Sequence, residues 1–120
     1  MKATEQDFAL IRTMVELPYL IRVLDADMKL IDKSSLRTRL ALLKQLDDLR
    51  QDVQYEMREV RGKLRSRQIK ILKQTSLEDK LVAEYICRGY HDRMALMWSR
   101  VKCDIEEMVE VRLGAMKSLS

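Results

Sequence analysis

Apolar residues recur at helical spacing along almost the whole chain. Between Thr4 and Leu17, the residues Phe8, Ile11 and Val15 share one helical face, and Thr4 with Asp7 three positions on suits a helix start. Pro18 either kinks this helix or occupies the first turn of the next. From there Ile21, Leu24, Met28 and Ile31 keep the same spacing, until Asp32-Lys33-Ser34-Ser35 supplies a polar break and an N-cap. Residues 4–31 therefore read as two short helices folded against something larger.

The larger element is predicted over residues 36–73, which contain no proline and only Gly62. As one helix this stretch would be about 57 Å long. Leu42, Leu46, Leu49, Val53, Met57, Val60, Leu64 and Ile71 form a narrow stripe, the mark of a helix packed along its length on another. Leu36, Leu40 and Leu43 make a second patch, for which the N-terminal helices are the expected cover.

Lys73-Gln74-Thr75-Ser76 reads as a turn, with Thr75 and Glu78 or Ser76 and Asp79 as a capping box. Residues 77–117 then predict a second long helix, its core face carrying Ile86, Tyr90, Met94, Met97, Val101, Ile105 and Met108 beside Trp98. Two long helices joined by a tight turn run antiparallel. A fold of the hairpin at 74–75 brings Arg65 level with Glu84, Glu56 with Arg93, Asp47 with Lys102 and Arg39 with Glu110, and puts Val53 and Val101 together in the seam. The predicted fold is thus all-α: one domain, residues 1–120, built as a coiled-coil-like antiparallel helical hairpin with two short N-terminal helices.

Composition agrees with that reading. Three glycines and one proline in 120 residues cannot supply the turns of an all-β chain. The hydrophobic fraction is 47% and the charged fraction 35%, as in a folded domain. No apolar run approaches the roughly 18–20 residues of a membrane span, and MKATEQDFAL has no hydrophobic stretch of the secretory kind. Cys87 and Cys103, placed on one helix, would lie roughly 24 Å apart, too far to bridge. Free thiols without a signal point to the cytoplasm.

Net charge is only +4, yet the cations cluster: Arg58, Arg61, Lys63, Arg65, Arg67, Lys70 and Lys73 fall together, with Glu59 the only acid among them. Such a cluster suits phosphate or an acidic protein partner. A solvated helix end is the plainer explanation, because a helix wraps these side chains around its whole circumference and no aromatic is interleaved to stack on bases. Residues 88–100, with Arg88, His91, Arg93 and Arg100, offer a helix-turn-helix alternative hinged at Gly89. The apolar phase running from Ile86 through Tyr90 to Met94 favours an unbroken helix instead.

Other chemistry is thin. Cys87 and His91 share a helix face, but no further ligand completes a metal site and no oxyanion hole accompanies a nucleophile. The methionines Met94, Met97 and Met108 read as core. Paired acids such as Glu106 and Glu107 point apart, and no glycine-rich phosphate loop is present. No enzyme, cofactor or metal is expected. Ile69, Leu72, Leu96, Val111 and Leu113 lie off the seam and are the candidate self-association positions, so a homodimer completing a helical bundle is expected. The function that follows is a non-enzymatic interaction or regulatory protein, with nucleic-acid binding through 58–73 or 88–100 as the alternative.

Overall fold

Thr4 starts the first helix as its spacing predicts. Its hydroxyl accepts from the Asp7 amide at 3.2 Å, and the Asp7 carboxylate accepts from the Thr4 amide at 2.9 Å, a reciprocal capping box. The computed structural model describes residues 2–119. Helix α1 (Glu5–Asp32) continues through Pro18, so the two short N-terminal helices are one. Leu17 and Leu20, both fully buried, hold the chain helical on either side of the proline, and packing there outweighs one lost hydrogen bond.

Helix α2 (Arg39–Ser66) carries the predicted stripe: Leu49, Val53, Val60 and Leu64 are buried. Its partner is α1, not a later helix. Ile11 and Val15 pack with Val60 and Leu64, whereas Leu17, Leu20 and Leu24 pack with Leu49 and Val53, so α1 and α2 form the antiparallel hairpin. Cross-helix ion pairs follow the same direction, from Asp7–Arg67 through Asp25–Arg50 to Asp32–Arg39. The patch expected under the N-terminal helices is open, with Leu36 53% and Leu40 71% exposed.

Residues 69–97 overturn the all-α expectation. They form strands β1 (Ile69–Ser76), β2 (Lys80–Cys87) and β3 (Tyr90–Met97), an antiparallel meander in the order β1-β2-β3. The fold is therefore α+β, and neither a coiled coil nor a helical bundle is present among the described residues. The cause is a change of period. On β2 Leu81, Ala83, Tyr85 and Cys87 are buried at every second position, and the β-branched and aromatic residues Val82, Tyr85 and Ile86 suit a pleated surface. Cys87-Arg88-Gly89-Tyr90 is a two-residue hairpin, with φ of 48° at Arg88 and 89° at Gly89, the type I′ requirement. The supposed capping box at 75–79 is strand and hairpin loop.

The sheet lays its Leu81–Cys87 face on α1 and α2 to make one core cluster. Helix α3 (Trp98–Leu119) starts directly after β3 and inserts Val101 and Ile105 into a second cluster with Leu17, Leu20, Leu24, Leu49 and Val53. Trp98 fastens the junction: its amide donates to Asp79 O at 3.0 Å and its indole N–H to Leu77 O at 2.9 Å, while its ring meets Tyr19 edge-on at 5.2 Å. The charge register predicted for the long hairpin is replaced. Glu56 accepts twice from Arg112 of α3 at 2.6 Å, and Glu84 lies between Lys73 and Arg93 in the sheet register. No described helix is long and apolar enough to cross a membrane.

Candidate interaction groove

The site begins where α2 ends. The Arg67 amide closes the helix on Lys63 O at 3.1 Å, Gln68 takes a φ of 58°, and Gln68 O accepts the Arg88 amide at 2.9 Å. The chain thereby turns back and lays β1 beside the last turns of α2. Buried Asp7 locks this turn. Its carboxylate accepts from Arg67 at 3.1 Å and Arg88 at 2.7 Å, with the Cys87 thiol at 3.9 Å. The Thr4 amide, then Arg88, hold that carboxyl well below the usual range despite burial.

Between α1, the end of α2 and β1 lies a groove of about 720 Å³. Its floor is apolar, from Met14, Pro18, Leu64, Ile69, Ile71 and Leu72. Arg61, Arg65 and Lys70 also line it, with Gln68 and Gln74, and no carboxylate of the described residues does. None of these three cations forms a salt bridge among the described residues. Pro18 has no amide to return to the Met14 carbonyl, so the groove also meets a stretch of α1 with one helical bond missing.

Five residues singled out from the sequence for two different reasons meet here: Arg61, Arg65 and Lys70 from the basic cluster, Ile69 and Leu72 from the self-association set. The rest disperse. Arg58 lies over the Tyr55 ring at 5.7 Å, Lys63 is exposed on α2, Arg67 is tied to Asp7 and Gln6, and Lys73 sits on the outer sheet face opposite Glu84. Leu96 and Leu113 pack against the core, whereas Val111 is 62% exposed on α3. The 88–100 segment is no helix-turn-helix: Arg88 is bound to Asp7, His91 and Arg93 lie on β3, and Arg100 pairs with Asp104 at 3.0 Å. Cys87 belongs to the core face of β2, whereas His91 sits opposite Ile86 on the other face. Cys103 is exposed on α3, so the two cysteines do not share a helix. No cluster of three metal-ligating side chains occurs among the described residues.

A second arrangement escaped the sequence reading. Glu16 of α1, 2% exposed, lies beside Asp104 of α3. Burial, and then Asp104, push the Glu16 carboxyl from 4.5 up to about 8, whereas the Glu16 hydrogen bond, more than Arg100, pulls Asp104 down. Two carboxyl groups bond to each other only across a proton, and Glu16 holds it. Glu16 Oε2 and Asp104 Oδ2, both buried with no other donor, are the oxygens available to share it, since the other oxygen of each faces an arginine. Arg12, at 4.0 Å from Glu16, and Arg100 oppose the shift without cancelling it. Because the folded carboxyl binds its proton more tightly than the unfolded one, the stability it gives is full below about pH 4.5 and lost as pH rises towards 8. The slope reaches at most about 1.4 kcal/mol per pH unit, one proton's worth. Glu16→Gln, which donates to Asp104 without titrating, should flatten that decline and raise stability at pH 8. Urea denaturation of both proteins at pH 5 and pH 8 checks this, and equal slopes would remove the shared proton.

No curated protein and no solved structure matches the chain. A protein-family model described as YhjD protein matches residues 2–117, nearly the whole length, and the chain belongs to that family.

Proposed function

We propose that this protein is a non-enzymatic interaction module whose groove takes an acidic, partly apolar segment of a partner protein. The observation that carries this reading is the lining: three cations without salt bridges around an apolar floor, with no carboxylate. Surface cations alone are commonplace, and apolar residues alone are core spilling outwards. Together in one concave site they favour a ligand that is both negative and greasy. A phosphate-binding surface has no use for the six apolar residues, so nucleic acid is the lesser reading. Self-association loses the bundle that motivated it, and pairing two copies through this groove would set Arg61, Arg65 and Lys70 of each against the other.

The test is fluorescence anisotropy with labelled, end-capped decamers in which Asp or Glu alternates with Val, Ile, Leu or Phe. Arg61→Gln with Arg65→Gln should weaken binding about tenfold, since two partly screened charge contacts in a groove are together worth about 1.4 kcal/mol. Both side chains are exposed, so the melting temperature should hardly move. Stronger binding of a single-stranded oligonucleotide, or a stable dimer by light scattering that excludes the decamers, would replace this reading.

A further inference from the structure

The groove is lined by five consecutive residues, Gln68 of the turn and Ile69 through Leu72 of β1. Side chains alternate between sheet faces, so a groove that touches every residue in turn meets the strand on its edge. That edge is free among the described residues, because β1 is the outermost strand and pairs there with β2 alone.

The ladder shows which backbone groups it offers. The Arg88 amide donates to Gln68 O, so the Gln68–Arg88 pair faces inwards. In an antiparallel ladder inward and outward pairs alternate. With Ile69 opposite Cys87, Lys70 opposite Ile86 and Ile71 opposite Tyr85, the amides and carbonyls of Ile69 and Ile71 point to the free edge. Past Ile71 the register shifts at a bulge before Lys73, which limits the regular edge to this short run.

We propose that the partner segment binds as a fourth strand, hydrogen-bonded to the Ile69 and Ile71 edge of β1. This rests on the interaction reading above and adds its geometry. Residues directly opposed across a ladder share a face. Partner residues opposite Ile69 and Ile71 therefore lie on the core side, towards Met14, Pro18 and Leu64, and are apolar. The residue between them lies on the outer side with Lys70 and is acidic. Arg61 and Arg65, one helical turn apart on α2 and lining the same groove, attract the segment's acids through space from the rim. The occupant is an extended apolar–acidic–apolar segment of another protein. A second copy of β1 would present lysine to lysine there.

The experiment takes the tightest decamer from the alternating set and compares it with the same peptide N-methylated at alternate amides, in both phases of alternation. Strand pairing predicts that one phase binds about tenfold more weakly, having lost donors that nothing replaces, whereas the other is nearly unaffected. It also predicts slowed amide hydrogen exchange at Ile69 and Ile71 in the saturated complex. If both methylated forms bind like the parent, or the Ile69 and Ile71 amides exchange as in the free protein, strand pairing is wrong. The interaction reading then still stands, provided that Arg61→Gln with Arg65→Gln weakens the parent peptide. If no decamer in the set binds, both fall.

Discussion

Val53→Asp should unfold the protein or cost it more than about 4 kcal/mol, because a carboxylate buried without a partner is among the few single changes of that size. Val53 is fully buried where all three helices meet, among Leu17, Leu20 and Leu24 of α1, Leu49 of α2, and Val101 and Ile105 of α3. The six other buried members of that cluster are all apolar and offer a carboxylate at position 53 no partner. Total stabilities of about 5–15 kcal/mol leave little after such a loss. Val53→Ala, which removes volume and adds no charge, should cost far less and keep the cooperative transition. Urea denaturation followed through Trp98 fluorescence and far-ultraviolet dichroism decides it. An unchanged midpoint for Val53→Asp would mean that the α1–α2–α3 junction is not packed as described.

The same residue shows what was legible in the sequence. The α2 stripe from Leu42 to Leu64 was readable because it keeps the 3.6 period along one face. Val53 and Val101 do share a core cluster, as the seam predicts. The stripe's partner is α1 and not the expected later helix; Pro18 hides this by dividing the α1 pattern into two fragments, and a fragment cannot cover a long stripe. Buried residues on both sides of the proline make it one helix of matching length.

The sheet was hidden for a different reason. A spacing of four satisfies both a helix and a strand, so Tyr90 and Met94 kept a helical phase while lying on one face of β3. Ile86, counted in the same stripe, sits on the other face of the sheet. The turns gave little warning. Gln68 takes positive φ without being Gly or Asn, and Arg88-Gly89 shows one glycine where Asn-Gly would have signalled a hairpin. Scarce turn residues exclude an all-β chain, but a three-stranded meander needs only two turns. Alternation was present in Ile69 and Ile71 and in Leu81, Ala83, Tyr85 and Cys87.

The groove was half legible for the same cause. Its cations were found by density, yet on an unbroken helix they wrap the circumference and converge on nothing. The reversal at Arg67-Gln68 brings Lys70 of β1 to the side of Arg61 and Arg65, and sequence spacing holds no trace of that event.

What fixes the reversal is Asp7, and Asp7→Ala should cost about 3 kcal/mol. Its carboxylate joins the start of α1, the end of α2 and the β2–β3 turn through Thr4, Arg67 and Arg88. Removing one member of a buried ion pair typically costs about 3–5 kcal/mol. The lower end applies because the Arg67 and Arg88 side chains are 38% and 23% exposed and can recover some water. Loss of the capping box contributes within that figure. Asp7→Asn should fall between alanine and the native residue, since an amide oxygen still accepts from Thr4 but carries no charge. The carboxyl is held below its ordinary 3.8, so its stabilisation is complete above that pH and fades as pH falls further. The difference between native protein and Asp7→Asn should therefore shrink between pH 5 and pH 2. Urea denaturation across that range measures it, and a gap that stays constant, or an Asp7→Ala protein as stable as the native one, would show that the ion pairs do not hold the turn. Were Asp7→Ala to stay folded, its groove should bind acidic decamers more weakly, because β1 would no longer be held against α2.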